Sequence, residues 1–219
     1  RLTGSPKMPL DRRVQRLLDM LAAGAPAEGQ TALGRRAALA AFAAMADDAS
    51  TPARIEALTA PGPGGPIPLR VYAPAAAADA ILPGLIFFPG GGWVAGDLDT
   101  HDGFCRRLSN ETGCRVIAVD YRLAPLHPFP YGLADAWAAL NYVVRNPKLF
   151  GIDPMRVGVA GDSAGGTLAA VLCRMARDAD NPHAPHIAFQ LLICPILDVH
   201  GESPARLELA EGYFLDNET

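Results

Sequence analysis

Val159-Ala160-Gly161-Asp162-Ser163-Ala164-Gly165-Gly166 decides the fold, because it sets a G-x-S-x-G pentapeptide between two segments of different period. Upstream, Arg156-Val157-Gly158-Val159-Ala160 reads as a short buried strand. Downstream, Thr167 to Arg177 carries apolar residues at helical spacing. A serine hydroxyl is a poor nucleophile until the backbone lifts it clear of the sheet and points it at a base. A sharp strand-to-helix turn does this, and a side chain on either flank would collide with neighbouring backbone. Ser163 is therefore the candidate nucleophile, with Gly161, Asp162 and Gly165 supporting the elbow.

A second glycine cluster supplies the complementary half. Leu85-Ile86-Phe87-Phe88-Pro89-Gly90-Gly91-Gly92-Trp93 is an apolar strand running straight into three glycines. Acyl transfer at a serine builds negative charge on a carbonyl oxygen, and glycines let backbone N–H groups approach such a charge closely. Ala164, following the nucleophile, and Gly91 and Gly92 are the candidate oxyanion donors; Pro89 and Gly90 support the loop. A flexible turn or a phosphate-binding loop is the alternative. The sequence contains neither G-x-G-x-x-G nor G-x-x-x-x-G-K-[ST], which argues against a nucleotide.

Working outward, strands are expected near 53–58, 69–73, 115–120, 156–160 and 187–194, besides the one before the glycine loop. Helices are expected near 100–111, 132–145 and 164–177, and two more near 11–20 and 33–46. Ala60-Pro61-Gly62-Pro63-Gly64-Gly65-Pro66 reads as a turn-rich separator between the first two strands, and Ala75 to Ala80 as an exposed loop. Val116-Ile117-Ala118-Val119 lacks polar alternation, as burial on both faces requires. Strand–helix alternation of this kind specifies an α/β fold with a mostly parallel sheet.

The chain has 219 residues, half of them hydrophobic, and a net charge of −4, enough length for one domain with a sizeable core. No basic stripe points to nucleic acid, and no segment is long and apolar enough to insert stably in a membrane. Cys105, Cys114, Cys173 and Cys194 show no C-x-x-C spacing and are expected as free thiols in a reducing compartment; a cytoplasmic location is the default. His183 and His186 form an H-x-x-H among prolines without a companion carboxylate, so no metal and no cofactor is expected.

Three blocks carry a resemblance. Pro89-Gly90-Gly91-Gly92-Trp93 is similar to the H-G-G-G-[WF] loop of the hormone-sensitive-lipase-like (bacterial type IV) esterases, and Gly161 to Gly166 resembles their G-D-S-A-G-G elbow. Between them, Asp120-Tyr121-Arg122-Leu123-Ala124-Pro125, Phe129-Pro130 and Asp135-Ala136 match a third block of that family, and Gly96-Asp97 and His101 echo the region after the loop. The resemblance implies an α/β-hydrolase fold with a helical cap and cofactor-free hydrolysis of short- to medium-chain carboxylic esters through an acyl-enzyme at Ser163. It assigns 1–50 to a cap segment, 51–198 to a partial hydrolase core and 199–219 to the start of a second cap segment. Trp93 is a candidate for the substrate pocket, and a homodimer is a candidate assembly.

Two departures stand out. Pro89 occupies the family's histidine position, so altered activity is expected, and Leu126-His127 replaces a stretch where glutamate is common. The family's acid and base lie in blocks after the elbow, and nothing up to Thr219 resembles them. Asp198 and His200 are too close in sequence for a relay, and His127 sits in a proline-rich loop. The expectation is a longer enzyme; the alternative is a catalytically silent hydrolase-fold ligand binder or an inactive fragment. A sheet ending at 187–194 would leave an apolar edge, which also points to further strands or a partner.

Overall fold

A computed structural model describes residues 10–24, 31–45, 53–77, 79–179, 184–198 and 201. The chain divides into two compact units; α1 (Arg12–Gly24) belongs to one, and the span from Ala32 to Leu197 forms the other. The larger unit begins with α2 (Ala32–Met45) and then builds a six-stranded sheet.

The sheet grows from a hairpin. β1 (Ala53–Gly62) and β2 (Gly65–Pro74) pair antiparallel from Ala53↔Pro74 down to Gly62↔Gly65, so only Pro63 and Gly64 form the turn. The separator expected at 60–66 is mostly ladder. Then follow β3 (Leu82–Phe88), α3 (Asp102–Thr112), β4 (Arg115–Val119), α4 (Tyr131–Arg145), the single turn α5 (Pro147–Phe150), β5 (Ile152–Asp162), α6 (Ser163–Asp178) and β6 (Phe189–Ile193). Strand order is β1-β2-β4-β3-β5-β6, with β2 antiparallel to β4, and β4, β3, β5 and β6 paired in parallel. This is the expected mixed, mostly parallel α/β sheet, and β6 stands at its margin among the described residues. Ala75–Ala77, expected as loop, form one 3-10 turn.

Alternation along each central strand divides the core in two. Ile86, Phe88, Ile117, Val119, Val157 and Val159 meet Ala136, Ala139, Leu140 and Val143 of α4 and Leu168, Ala169 and Leu172 of α6. On the other face Leu85, Phe87, Val116, Ala118 and Ala160 meet Tyr72 of β2 and Cys105 of α3. Both faces being covered, these strands need apolar residues at every position. All four cysteines are free thiols; Cys105 and Cys114 are buried, Cys173 half-buried and Cys194 exposed. Burial pushes the Cys105 thiol up, which keeps it inert.

Two charged clusters fix the connections around the sheet. Arg122, after β4, grips Asp135 of α4 with Nε–Oδ2 and Nη2–Oδ1 bonds of 2.7 Å each, and its own N–H donates to Oδ2 at 3.1 Å. Asp135 is only 1 % exposed. Arg122→Ala strands that carboxylate without its bidentate partner and is expected to cost about 3 kcal/mol, read from urea unfolding.

On the opposite face Asp102 accepts Arg106 Nε at 2.6 Å, Tyr72 Oη at 2.9 Å and Arg70 Nη1 at 3.1 Å. Burial alone would raise its pKa, but these donors outweigh burial and hold it below the usual 3.8. A lowered carboxylate pKa contributes stability that is present above the unfolded value and lost as pH falls through the folded one. Asp102→Asn should therefore lose less stability than the parent between about pH 5 and pH 3, measured as unfolding midpoint against pH.

Candidate active site

Ser163 opens α6 directly after β5, at φ 49°, in the left-handed region that non-glycine residues rarely occupy. The flanking glycines explain how the chain reaches it. A Cβ on Gly161 would run into the Gly165 backbone, and a Cβ on Gly165 into the Phe88 carbonyl at the end of β3. Both collisions are with backbone, which cannot swing aside. The strand and helix thus pack at glycine contact distance, and the bend between them presents Ser163 half-exposed. The Ser163 hydroxyl bonds to no acceptor or donor among the described residues.

Asp162 takes the N-cap position of α6 with extended φ/ψ (−106°, 146°), yet makes no cap hydrogen bond. Its carboxylate turns the other way. Oδ1 accepts the Gly90 N–H at 2.8 Å and lies 3.2 Å from His101 Nε2. An aspartate at this position ordinarily satisfies N–H groups of the first helical turn. Diverted here, it leaves the first-turn N–H groups of α6, that of Ala164 included, without a side-chain cap at the electropositive end of the helix. The same carboxylate welds the elbow to the glycine loop across 72 residues.

The loop itself is a tight turn. Gly91 O accepts Ala95 N–H at 2.9 Å and Val94 N–H at 3.2 Å, and Trp93 O accepts Ala124 N–H at 2.9 Å. Gly91 and Gly92 have φ of 131° and 64°, and Trp93 joins Ser163 among the few non-glycine residues at positive φ. Neither the Gly91 nor the Gly92 N–H is bonded to an acceptor among the described residues, so both are free to receive an anion. A Cβ on Gly90 would strike Asp162 Oδ2, so glycine is needed there as well.

Pro89 brings no side-chain donor, but its carbonyl is held by the buried Tyr121 hydroxyl at 2.6 Å. Burial pushes the Tyr121 phenol up, keeping that donor protonated. Tyr121 and Asp162 thus anchor the loop at two consecutive residues despite the proline.

His101 was visible in the sequence only as an echo of a family block. Its position at the start of α3 brings Nδ1 within 3.0 Å of Thr100 Oγ1 and its ring 5.8 Å from Phe87, with the side chain 12 % exposed. No local sequence signal marks it, because its partner Asp162 is distant in the chain. Other histidines play no part among the described contacts: His127 packs edge-on against Tyr131 at 5.9 Å, and His186 is exposed. His183 and His200 lie outside the described residues. Asp198 Oδ1 accepts the Gly201 N–H at 2.9 Å. Among the described residues no cluster of histidine, cysteine, aspartate and glutamate could hold a metal, and no helix is long and apolar enough to cross a membrane.

Elbow, glycine loop and parallel sheet together define an α/β-hydrolase, and residues 85–219 match the family described as the alpha/beta hydrolase fold. The chain belongs to the hormone-sensitive-lipase-like esterase branch of that family. It is 46 % identical over 164 residues to "Esterase LipI" of Mycobacterium tuberculosis, covering 74 % of this chain and 50 % of that protein. It is 44 % identical over 152 residues to "Carboxylesterase NlhH" of the same species, covering 69 % and 46 %. Among solved structures, the hyperthermophilic esterase from the archaeon Pyrobaculum calidifontis superposes with a TM-score of 0.87 at 37 % identity, covering 96 % of this chain and 68 % of that one. The chain spans about half the length of the curated relatives it matches.

Proposed function

We propose that this chain carries the nucleophile and oxyanion half of a serine carboxylesterase acting on short- to medium-chain esters. The carrying observation is Ser163 at φ 49° on a glycine-flanked elbow, fastened through Asp162 to a loop whose Gly91 and Gly92 N–H groups meet no acceptor among the described residues. The printed names of the relatives, esterase and carboxylesterase, support the reaction class.

Ser163 Oγ attacks the ester carbonyl carbon, and its proton passes to a base. The oxygen that becomes negative is met by the Gly91, Gly92 and Ala164 N–H groups, each such donor worth about 3 kcal/mol of barrier. The base then gives the proton to the alcohol oxygen as the ester C–O bond breaks, leaving the acyl group on Ser163. Water then cleaves that bond, releasing the acid and restoring the hydroxyl. The base and its carboxylate partner are assigned to the family blocks that follow the elbow, in the order serine, acid, histidine.

In the same reading residues 1–50 open a helical cap that shapes the acyl pocket. The bonds from Arg36 of α2 to Val94 and Ala124 support that placement. Trp93, which has a positive φ beside Gly92, is the candidate side chain for that pocket. The second cap segment, 199–219, lies outside the described residues except for Gly201. A cytoplasmic enzyme working without cofactor, with a homodimer as its candidate assembly, completes the proposal.

The test is reaction of the full-length protein with a fluorophosphonate probe, mapped by mass spectrometry, beside hydrolysis of p-nitrophenyl esters from acetate upward. Phosphonylation confined to Ser163 with turnover of the short esters is the expected result. Ester binding without labelling or turnover would instead make the chain part of a silent ligand binder.

A further inference from the structure

The glycine loop ends a hydrogen-bonded chain that starts at a cation. Arg36, on α2, donates Nε–H to the Val94 carbonyl at 2.8 Å and Nη2–H to the Ala124 carbonyl at 3.3 Å. The Val94–Ala95 peptide passes the bond onward, because Ala95 N–H donates to the Gly91 carbonyl at 2.9 Å. The Gly91–Gly92 peptide in turn carries the Gly92 N–H. Neither peptide is cis, so in each one the N–H points away from the carbonyl. The order is guanidinium, Val94–Ala95 peptide, Gly91–Gly92 peptide, then the free Gly92 N–H.

We propose that Arg36 is a positioning residue for the oxyanion site, orienting and polarising the Gly92 N–H through two peptide groups. The proposal rests on the esterase reading for its catalytic consequence. Each bond accepted by a peptide carbonyl draws electron density from the N–H of the same group, strengthening it as a donor by about 10–30 % per bond. A full positive charge heads this chain, and among the described residues no carboxylate pairs with Arg36 to cancel it. Orientation matters equally. Glycines tolerate either sense of a peptide, and a flip of the Gly91–Gly92 unit would replace a donor with a carbonyl. Two bonds to Gly91 O oppose the flip, and Arg36 secures the peptide that makes the shorter one. Through Ala124, whose N–H holds Trp93 O, the same guanidinium clamps both sides of the loop's exit.

The test compares Arg36→Ala, Arg36→Gln and Arg36→Lys in the full-length protein. Arg36 is exposed, so all three should fold with an unchanged thermal midpoint. Backbone NMR should show the Ala95 and Gly92 amide protons moving upfield in Arg36→Ala, with α6 amides unmoved. The kcat for p-nitrophenyl butyrate should fall about fivefold to tenfold at constant KM, with Arg36→Lys recovering more of it than Arg36→Gln. Inhibition by a trifluoromethyl ketone, whose serine adduct bears an oxyanion, should weaken by the same factor as kcat. Unmoved Gly92 shifts overturn the relay. Moved shifts with kcat and inhibitor affinity intact overturn its catalytic role. If the parent neither turns over esters nor reacts at Ser163, the esterase reading falls, and the amide shifts alone then uphold or overturn the relay.

Discussion

Ser163→Ala in the full-length protein is expected to lower kcat for p-nitrophenyl acetate by about 10⁴ to 10⁶ while leaving the fold intact. The two halves of that expectation have different sources. Loss of chemistry follows because the acyl group then has no acceptor, although Gly91, Gly92 and Ala164 still present their donors. Retention of the fold follows because the Ser163 hydroxyl makes no hydrogen bond among the described residues, and the bond at this residue, from Thr167 Oγ1 at 3.3 Å, goes to its backbone carbonyl. Alanine meets the same strain at φ 49° as serine does. A matching unfolding midpoint with abolished fluorophosphonate labelling is the expected pair of readings. Equal hydrolysis by parent and variant would end the enzyme reading.

Why so much of this site could be read in advance is itself physical. Parallel strands buried on both faces must be apolar throughout, so Val116 to Val119 and Leu85 to Phe88 announce themselves as sheet centre. An elbow that packs strand on helix at backbone contact needs glycines two residues either side of the nucleophile, and spacing exposes that need. Other features left no local trace. The Asp162–Gly90 bond and the Asp162–His101 contact join positions far apart in sequence, and a lone histidine carries no mark of the carboxylate it will meet. The Arg122–Asp135 grip was present as matching letters of a block, without a role, for the same reason.

The hairpin shows a different failure. Pro61, Pro63 and Pro66, with the glycines among them, make 60–66 read as a separator, since proline cannot donate to a ladder. Yet Pro61 sits on β1, an outer strand, and Pro66 and Pro68 precede the stretch Leu69–Tyr72 where β2 pairs with β4. At those places the missing N–H groups are not called upon, and the ladder runs through them. Local propensity lost to strand position, which no window of sequence reports.

Gly165→Ala should be the most damaging substitution that leaves every reacting group in place. The added methyl would coincide with the Phe88 carbonyl oxygen and stand 2.6 Å from its carbon and 2.8 Å from the Pro89 oxygen. Neither carbonyl can yield: Phe88 ends a central strand paired with β5, and Pro89 O is held by Tyr121. Relief requires the first turn of α6 to back away from β3, which carries Ser163 and Ala164 away from Gly91 and Gly92. Overpacking of this kind costs about 3 kcal/mol, and losing the alignment of one oxyanion donor lowers kcat by about 10² to 10³. Gly113→Ala is the matched control. Gly113, unlike Gly165, has a positive φ, 68°, but an added Cβ there would meet nothing within 4 Å. Its cost is confined to backbone strain of roughly 1 kcal/mol, with turnover untouched. Measuring both variants by urea unfolding and ester hydrolysis separates steric closeness from glycine's conformational freedom as the reason for the glycine at the fifth position of the pentapeptide. A Gly165→Ala protein as stable and active as the Gly113→Ala control would refute the close packing of elbow on sheet from which the geometry of the site is built.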